Sequence, residues 1–260
     1  MLVSFCLRLA WGLIACTLFL PAAVVPPRFF RVQYLATLGL LAVAAFFLRE
    51  QGDWAVWLSL GGAAALAFAG SVIWHLDGAP GGRSLGFLSG AALSAALVFG
   101  GAAAREDVRP AAGPPSTHGA EAWAIADDFA AGAVLGSATT AMLMGHSYLI
   151  APAMSLTPLF RLLAALGVSL TMRAALAAVG LWLWTRGSGT ANLEGEMLLW
   201  LPARWILGVL APFFLGWMAW ETARIRSTQS ATGILYVVTI VCFLGELTSQ
   251  LLVSRTGYFL

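Results

Sequence analysis

Apolar residues run along this chain in long blocks, broken by short clusters of Arg, Gly, Pro and acids. A membrane span needs about 20 mostly apolar residues. Eight stretches qualify: 9–25, 32–48, 54–75, 84–104, 128–150, 160–184, 197–221 and 231–253. The pattern predicts an all-α fold, a polytopic integral membrane protein with about eight transmembrane helices in a bundle. Pro26-Pro27 and Pro152 end the first and fifth stretches, and Arg31 and Arg49 bracket the second. Pro202 and Pro212 lie inside the seventh and predict a kink, which neighbouring helices tolerate in a membrane.

Most connections are short, so successive helices are expected to be antiparallel neighbours. The exception is 105–127, rich in Pro, Gly, Ala and acids. It reads as an extramembrane loop between a first four-helix half, 1–104, and a second, 128–260. The halves show no convincing repeat, so an inverted-repeat transporter is not indicated. Asp127-Asp128, at the expected start of the fifth span, reads as an N-terminal helix cap rather than a metal site. An amphipathic helix in 119–130 is a weaker signal.

Composition sharpens the class. Of the chain's residues 60% are hydrophobic and 10% charged, against about 25% charged in soluble domains. No soluble fold of this size hides so much apolar surface, which excludes a soluble enzyme, a disordered chain and a nucleic-acid binder. The net charge of +2 is too small to imply an anionic macromolecular partner. The expected surroundings are the lipid bilayer and either other membrane subunits or further copies of the chain. Cys6, Cys16 and Cys242 sit in apolar stretches without a C-x-x-C pair, so they read as packing residues. Arg8 before an apolar run looks like a signal peptide, and Leu13-Ile14-Ala15-Cys16 looks like a lipoprotein cleavage box. The segment is read instead as a first membrane helix.

An even number of spans puts both termini on one side. Arginines divide equally between the two faces, so the positive-inside rule does not decide orientation. The long acidic loop suggests external termini in a bacterial-type inner (cytoplasmic) membrane. Trp54, Trp57, Trp74, Trp182, Trp184, Trp217 and Trp220 fall near span ends, as an aromatic belt would.

Polar groups within spans carry the chemical information, because hydrocarbon makes them costly. One cluster is expected on the face away from the termini. His146, in Gly145-His146-Ser147-Tyr148, lies about one turn inside the fifth span, roughly 6 Å from its end. His75 ends the third span at that face, and Glu221, Arg224, Arg226 and Gln229 return there. Ser227 or Ser230 serves as a cap for the last helix on the plainer reading. The fifth span carries a G-x-x-x-G pair, Gly132 and Gly136, and the third has Gly61, Gly62, Ala63, Ala64 and Ala65. Small residues permit close helix contact, and they also leave room for a flat macrocycle. His146 and His75 could then be axial metal ligands of a b-type haem, with Arg224 and Arg226 pairing with its propionates and Gln229 converging on the same cofactor site. A histidine bonded to a quinone carbonyl is the related alternative. Under the plainer reading His146 bonds a neighbouring helix and His75 is interfacial.

The second cluster is expected on the termini side. Glu246 lies about seven residues, roughly 10 Å, inside the last span. Cys242, Ser249 and Gln250 share its stripe at helical spacing. Arg204 matches it in depth on the seventh span, so an Arg204–Glu246 ion pair is expected. Arg173, midway along the sixth span, must find a carboxylate, a cofactor or a water-filled cavity. The functional reading makes Glu246, Arg204 and Arg173 proton- or ion-coupling groups. No H-E-x-x-H, G-x-S-x-G or P-loop occurs.

Three functions follow as expectations. The first is an integral membrane subunit of a respiratory or photosynthetic electron-transfer complex, holding haem b or quinone near His146. The second is a small-molecule or ion transporter using Glu246, Arg204 and Arg173. The third is a purely structural membrane subunit.

Overall fold

Long apolar blocks bounded by proline and polar clusters form helices, and every regular element among the described residues is helical. The computed structural model describes residues 1–48, 53–76, 81–106, 118–151, 154–187 and 195–256. Arg49, Asp77, Arg109, Pro152 and the middle of the acidic loop, 107–117, lie outside them. The elements are α1 (Leu2–Leu18), α2 (Pro27–Leu48), α3 (Trp54–Ile73), α4 (Gly82–Glu106), α5 (His118–Ile150), α6 (Thr157–Gly187), α7 (Gly195–Trp205), a π turn (Ile206–Leu210), α8 (Ala211–Arg224) and α9 (Thr228–Thr256). Six helical stretches are long and apolar enough to cross a membrane: α2, α3, α4, α6, Leu199–Arg224 and α9. Helix α1 is apolar but shorter, at 17 residues.

Of the boundaries that differ from the sequence expectation, two change the chemistry. Helix α1 begins at Leu2 rather than at residue 9, which puts Arg8 nearly two turns inside it. It stops at Leu18 because Pro21, Pro26 and Pro27 follow, and Pro27 opens α2, where a missing N–H costs nothing. Helix α5 begins at His118, ten residues before the expected start. Asp127 and Asp128 are therefore inside a helix and do not cap one. The alanine-rich 119–130 segment is its first part.

The kink expected at Pro202 and Pro212 takes the form of the π turn between α7 and α8. Pro202 precedes it by one turn, and Pro212 sits in the first turn of α8. A widened turn of this kind often marks a functional position.

Helix α1 packs on α2, α4 and α5. Helix α3 packs on α2 and α4, while α5 also packs on α6 and α9, and α8 on α9. The α1–α5 crossing is close because it is built from glycine. A Cβ added at Gly12 would lie 1.9 Å from the Gly132 carbonyl oxygen, and one at Gly136 would lie 2.1 Å from the Gly12 carbonyl carbon. The G-x-x-x-G pair thus receives α1. Gly61 and Gly62 of α3 face open space.

Outward faces carry Phe46, Phe68, Phe87, Val168, Leu210 and Phe214 among many exposed large apolar side chains. That surface suits a bilayer. Trp54, Trp182 and Trp217 are exposed, as a belt requires, but Trp74 and Trp184 are buried. Trp74 stacks on Phe30, with ring centroids 4.1 Å apart. Cys6, Cys16 and Cys242 are free and buried.

Candidate functional site

The charged residues of the termini side meet inside the bundle. Chain direction alternates so that the start of α1, the end of α4, the start of α5, the end of α6, the start of α7 and the end of α9 share one side. From these six segments come Arg8, Arg105, Asp127, Asp128, Arg173, Arg204 and Glu246. All but Arg105 are buried below 7% exposure.

Arg8 is the hub. Its Nε and Nη2 donate to Asp128 Oδ1 at 2.9 and 2.6 Å. Nη1 donates to Glu246 Oε1, and Nη2 also reaches Asp127 Oδ2 at 3.4 Å. Arg173 is the second bridge. Its Nη1 donates to Asp127 Oδ1 at 2.6 Å and to the Asp127 carbonyl oxygen at 2.8 Å. Its Nη2 donates to Glu246 Oε2 at 3.0 Å and to Ser249 Oγ at 3.1 Å. Arg105 closes the outer end on Asp128 Oδ2, and the Gln250 amide donates to Glu246 Oε1 at 2.9 Å.

The local sequence explains this division of partners. Consecutive residues on a helix point about 100° apart. Asp128 therefore serves α1 and α4 while Asp127 serves mainly α6. On α9, Glu246, Ser249 and Gln250 lie at i, i+3 and i+4 on one face. Arg8 lies one turn before Gly12, so the glycine crossing of α1 and α5 also brings its guanidinium to the aspartates.

Arg204 departs from the expected ion pair. Glu246 pairs with Arg8 and Arg173 instead. The Arg204 side chain is 2% exposed and its Nε has no hydrogen-bond partner among the described residues. It curls over Gly208 of the π turn: a Cβ there would lie 2.0 Å from Arg204 Nη1. Gly208 in turn receives Gly245 of α9, where a Cβ would lie 2.3 Å from the Gly208 Cα. A small cavity follows, lined by Arg173, Arg204, Gly208, Cys242, Gly245 and Glu246 among others.

The other predicted cluster does not converge. His75, in the turn after α3, and His146, near the end of α5, are both exposed. His75 Nδ1 lies 3.2 Å from Arg31 Nη1. Arg224 pairs with Glu221 of its own helix at 3.2 Å, also exposed. Arg226 takes a positive φ of 56° in the tight turn before α9, and Gln229 is exposed. Ser227 Oγ donates to Ser230 Oγ at 3.1 Å. Near His146, Gly145 packs on Thr232, and Tyr148 donates to the Ser155 carbonyl oxygen at 2.6 Å. The segment around His146 thus holds a helix end and a loop in place. No group of three or more His, Cys, Asp or Glu suited to a metal ion occurs among the described residues.

Sequence reading missed Arg8, Arg105, Asp127 and Asp128 as members of the site. Their signal was charge close to the termini-side ends of apolar blocks, obscured for Arg8, Asp127 and Asp128 by the two helix boundaries. Comparison with protein-family models, with curated proteins and with solved structures finds no match to this chain.

Proposed function

We propose that the chain is an eight-span membrane transporter for a small solute or ion, and that its working centre is the intramembrane charge network. Helices α1 and α5 complete the eight spans in this reading, because each carries network residues at the level reached by α4, α6, α7 and α9. One observation carries the function: four guanidiniums and three carboxylates from six helices are gathered inside the bundle. Burying a charge costs several kcal/mol even after relaxation. Helix association in lipid does not require it, since the same bundle already closes on Gly12, Gly132 and Gly136. Charges of this kind characteristically mark ion and substrate pathways. The cluster also spans both halves, so relative movement of α1 and α5 would break and remake its bonds. The exposure of His75 and His146 lends the haem or quinone reading no support.

The test is charge displacement in proteoliposomes on a solid-supported membrane, after rapid exchange of pH, inorganic ions or small organic anions. Transport predicts a current with at least one solute in the wild-type protein, strongly reduced in Glu246→Gln. A protein that inserts and folds yet gives no current with any solute supports the purely structural reading instead.

A further inference from the structure

Among the described residues the network holds four guanidiniums against three carboxylates. Arg8, Arg105 and Arg173 each bond a carboxylate, and all three carboxylates are used by them. Both oxygens of Glu246 are occupied, one by Arg8 and Gln250 and the other by Arg173. Among the described residues Arg204 is the surplus cation. Glu246 and Asp127 are its nearby carboxylates, and Arg8 and Arg173 its nearby like charges, but no carboxylate among the described residues bonds it.

Its guanidinium borders the cavity described above. The room there is about 10 Å³, enough for one water-sized occupant. The backbone itself makes this space. A Cβ at Gly208 would displace the guanidinium and one at Gly245 would push the Gly208 backbone away, and the π turn carries Gly208 past Arg204.

We propose that Arg204 holds a small monovalent inorganic anion of the chloride class in the cavity between α5, α6, the π turn and α9. The ion neutralises the one surplus charge of the network and accepts the hydrogen bonds that Arg204 gives to no side chain. In this proposal the small space favours a compact spherical ion over sulfate and carboxylate-bearing solutes. This deepens the transport reading by naming an ion class, and rests on it only for the ion's being moved rather than held.

The experiment uses the full chain in detergent, in gluconate buffer, with radiolabelled chloride as the probe. Saturable binding of one ion per chain is expected, competed by bromide and not by sulfate. Arg204→Gln should weaken it by about tenfold or more, the loss of a charge-assisted bond. Gly208→Ala keeps every charge but forces the guanidinium aside, and should weaken it as well. A wild-type measurement stands beside the variants: chloride should raise the apparent melting temperature saturably, and sulfate should not. Absence of saturable wild-type binding overturns the proposal, as does wild-type affinity in a folded Arg204→Gln protein or equal competition by sulfate. Binding without any current leaves the anion site standing and removes only the transport reading. Current without chloride binding removes the anion site alone.

Discussion

Gly12→Ala is the most informative single change to the fold. The new methyl would sit 1.9 Å from the Gly132 carbonyl oxygen and 2.8 Å from the Gly136 Cα. That is about 1.5 Å short of ordinary contact at the tighter point. Both obstacles are backbone atoms, so no rotamer change relieves them and α1 must move away from α5. Overpacking typically costs 1–3 kcal/mol, and an obstacle made of backbone places this case at about 3 kcal/mol or more. The displacement also draws Arg8, one turn away, off Asp128 and Glu246. The assay is unfolding in detergent followed by intrinsic tryptophan fluorescence, with Gly61→Ala as control. Gly61 has nothing within 4 Å of its added Cβ. Gly12→Ala should melt several degrees lower than the wild type, and Gly61→Ala should not. Equal stability of the two variants would refute the reasoning that the α1–α5 crossing depends on the missing side chain.

Two further outcomes follow from the same geometry. Glu246→Gln leaves Arg8 and Arg173 short of a buried partner and should destabilise the protein by about 3 kcal/mol, measured in the same unfolding assay. Wild-type stability in that variant would mean that Glu246 is not paired as described. His75→Ala and His146→Ala alter exposed side chains and should each change stability by no more than about 0.5 kcal/mol. A larger loss at either would show that the residue is buried by a partner.

The membrane class and the approximate helix positions were legible because hydropathy blocks report them directly. The site was legible only in part. Arg173, Arg204 and Glu246 stood out, since charges inside long apolar blocks are conspicuous. Arg8 did not, because a basic residue ahead of an apolar run also describes a signal peptide and a helix start. Asp127 and Asp128 were read as a cap because Pro and Gly are dense shortly before them. The helix reaches back to His118 all the same, through residues 120–126, a stretch rich in alanine and other helix formers. The Arg204–Glu246 pair was the natural expectation from matched depth. It gave way because Arg8 and Arg173 reach Glu246 from two other helices, a matter of packing that spacing along one chain cannot report. His75 and His146 shared a membrane face, but position along a helix axis leaves open the direction around it, and both point outward.

The central claim is that Arg8 of α1 is bonded inside the bundle to the carboxylates of α5 and α9. A double-mutant cycle on Arg8→Gln and Asp128→Asn, read by unfolding in detergent, tests it most directly. The bonds from Arg8 Nε and Nη2 to Asp128 Oδ1 predict a coupling of about 1 kcal/mol or more between the two sites. Each single variant should be clearly destabilised. Additive effects with no coupling, from folded single and double variants, would contradict the account.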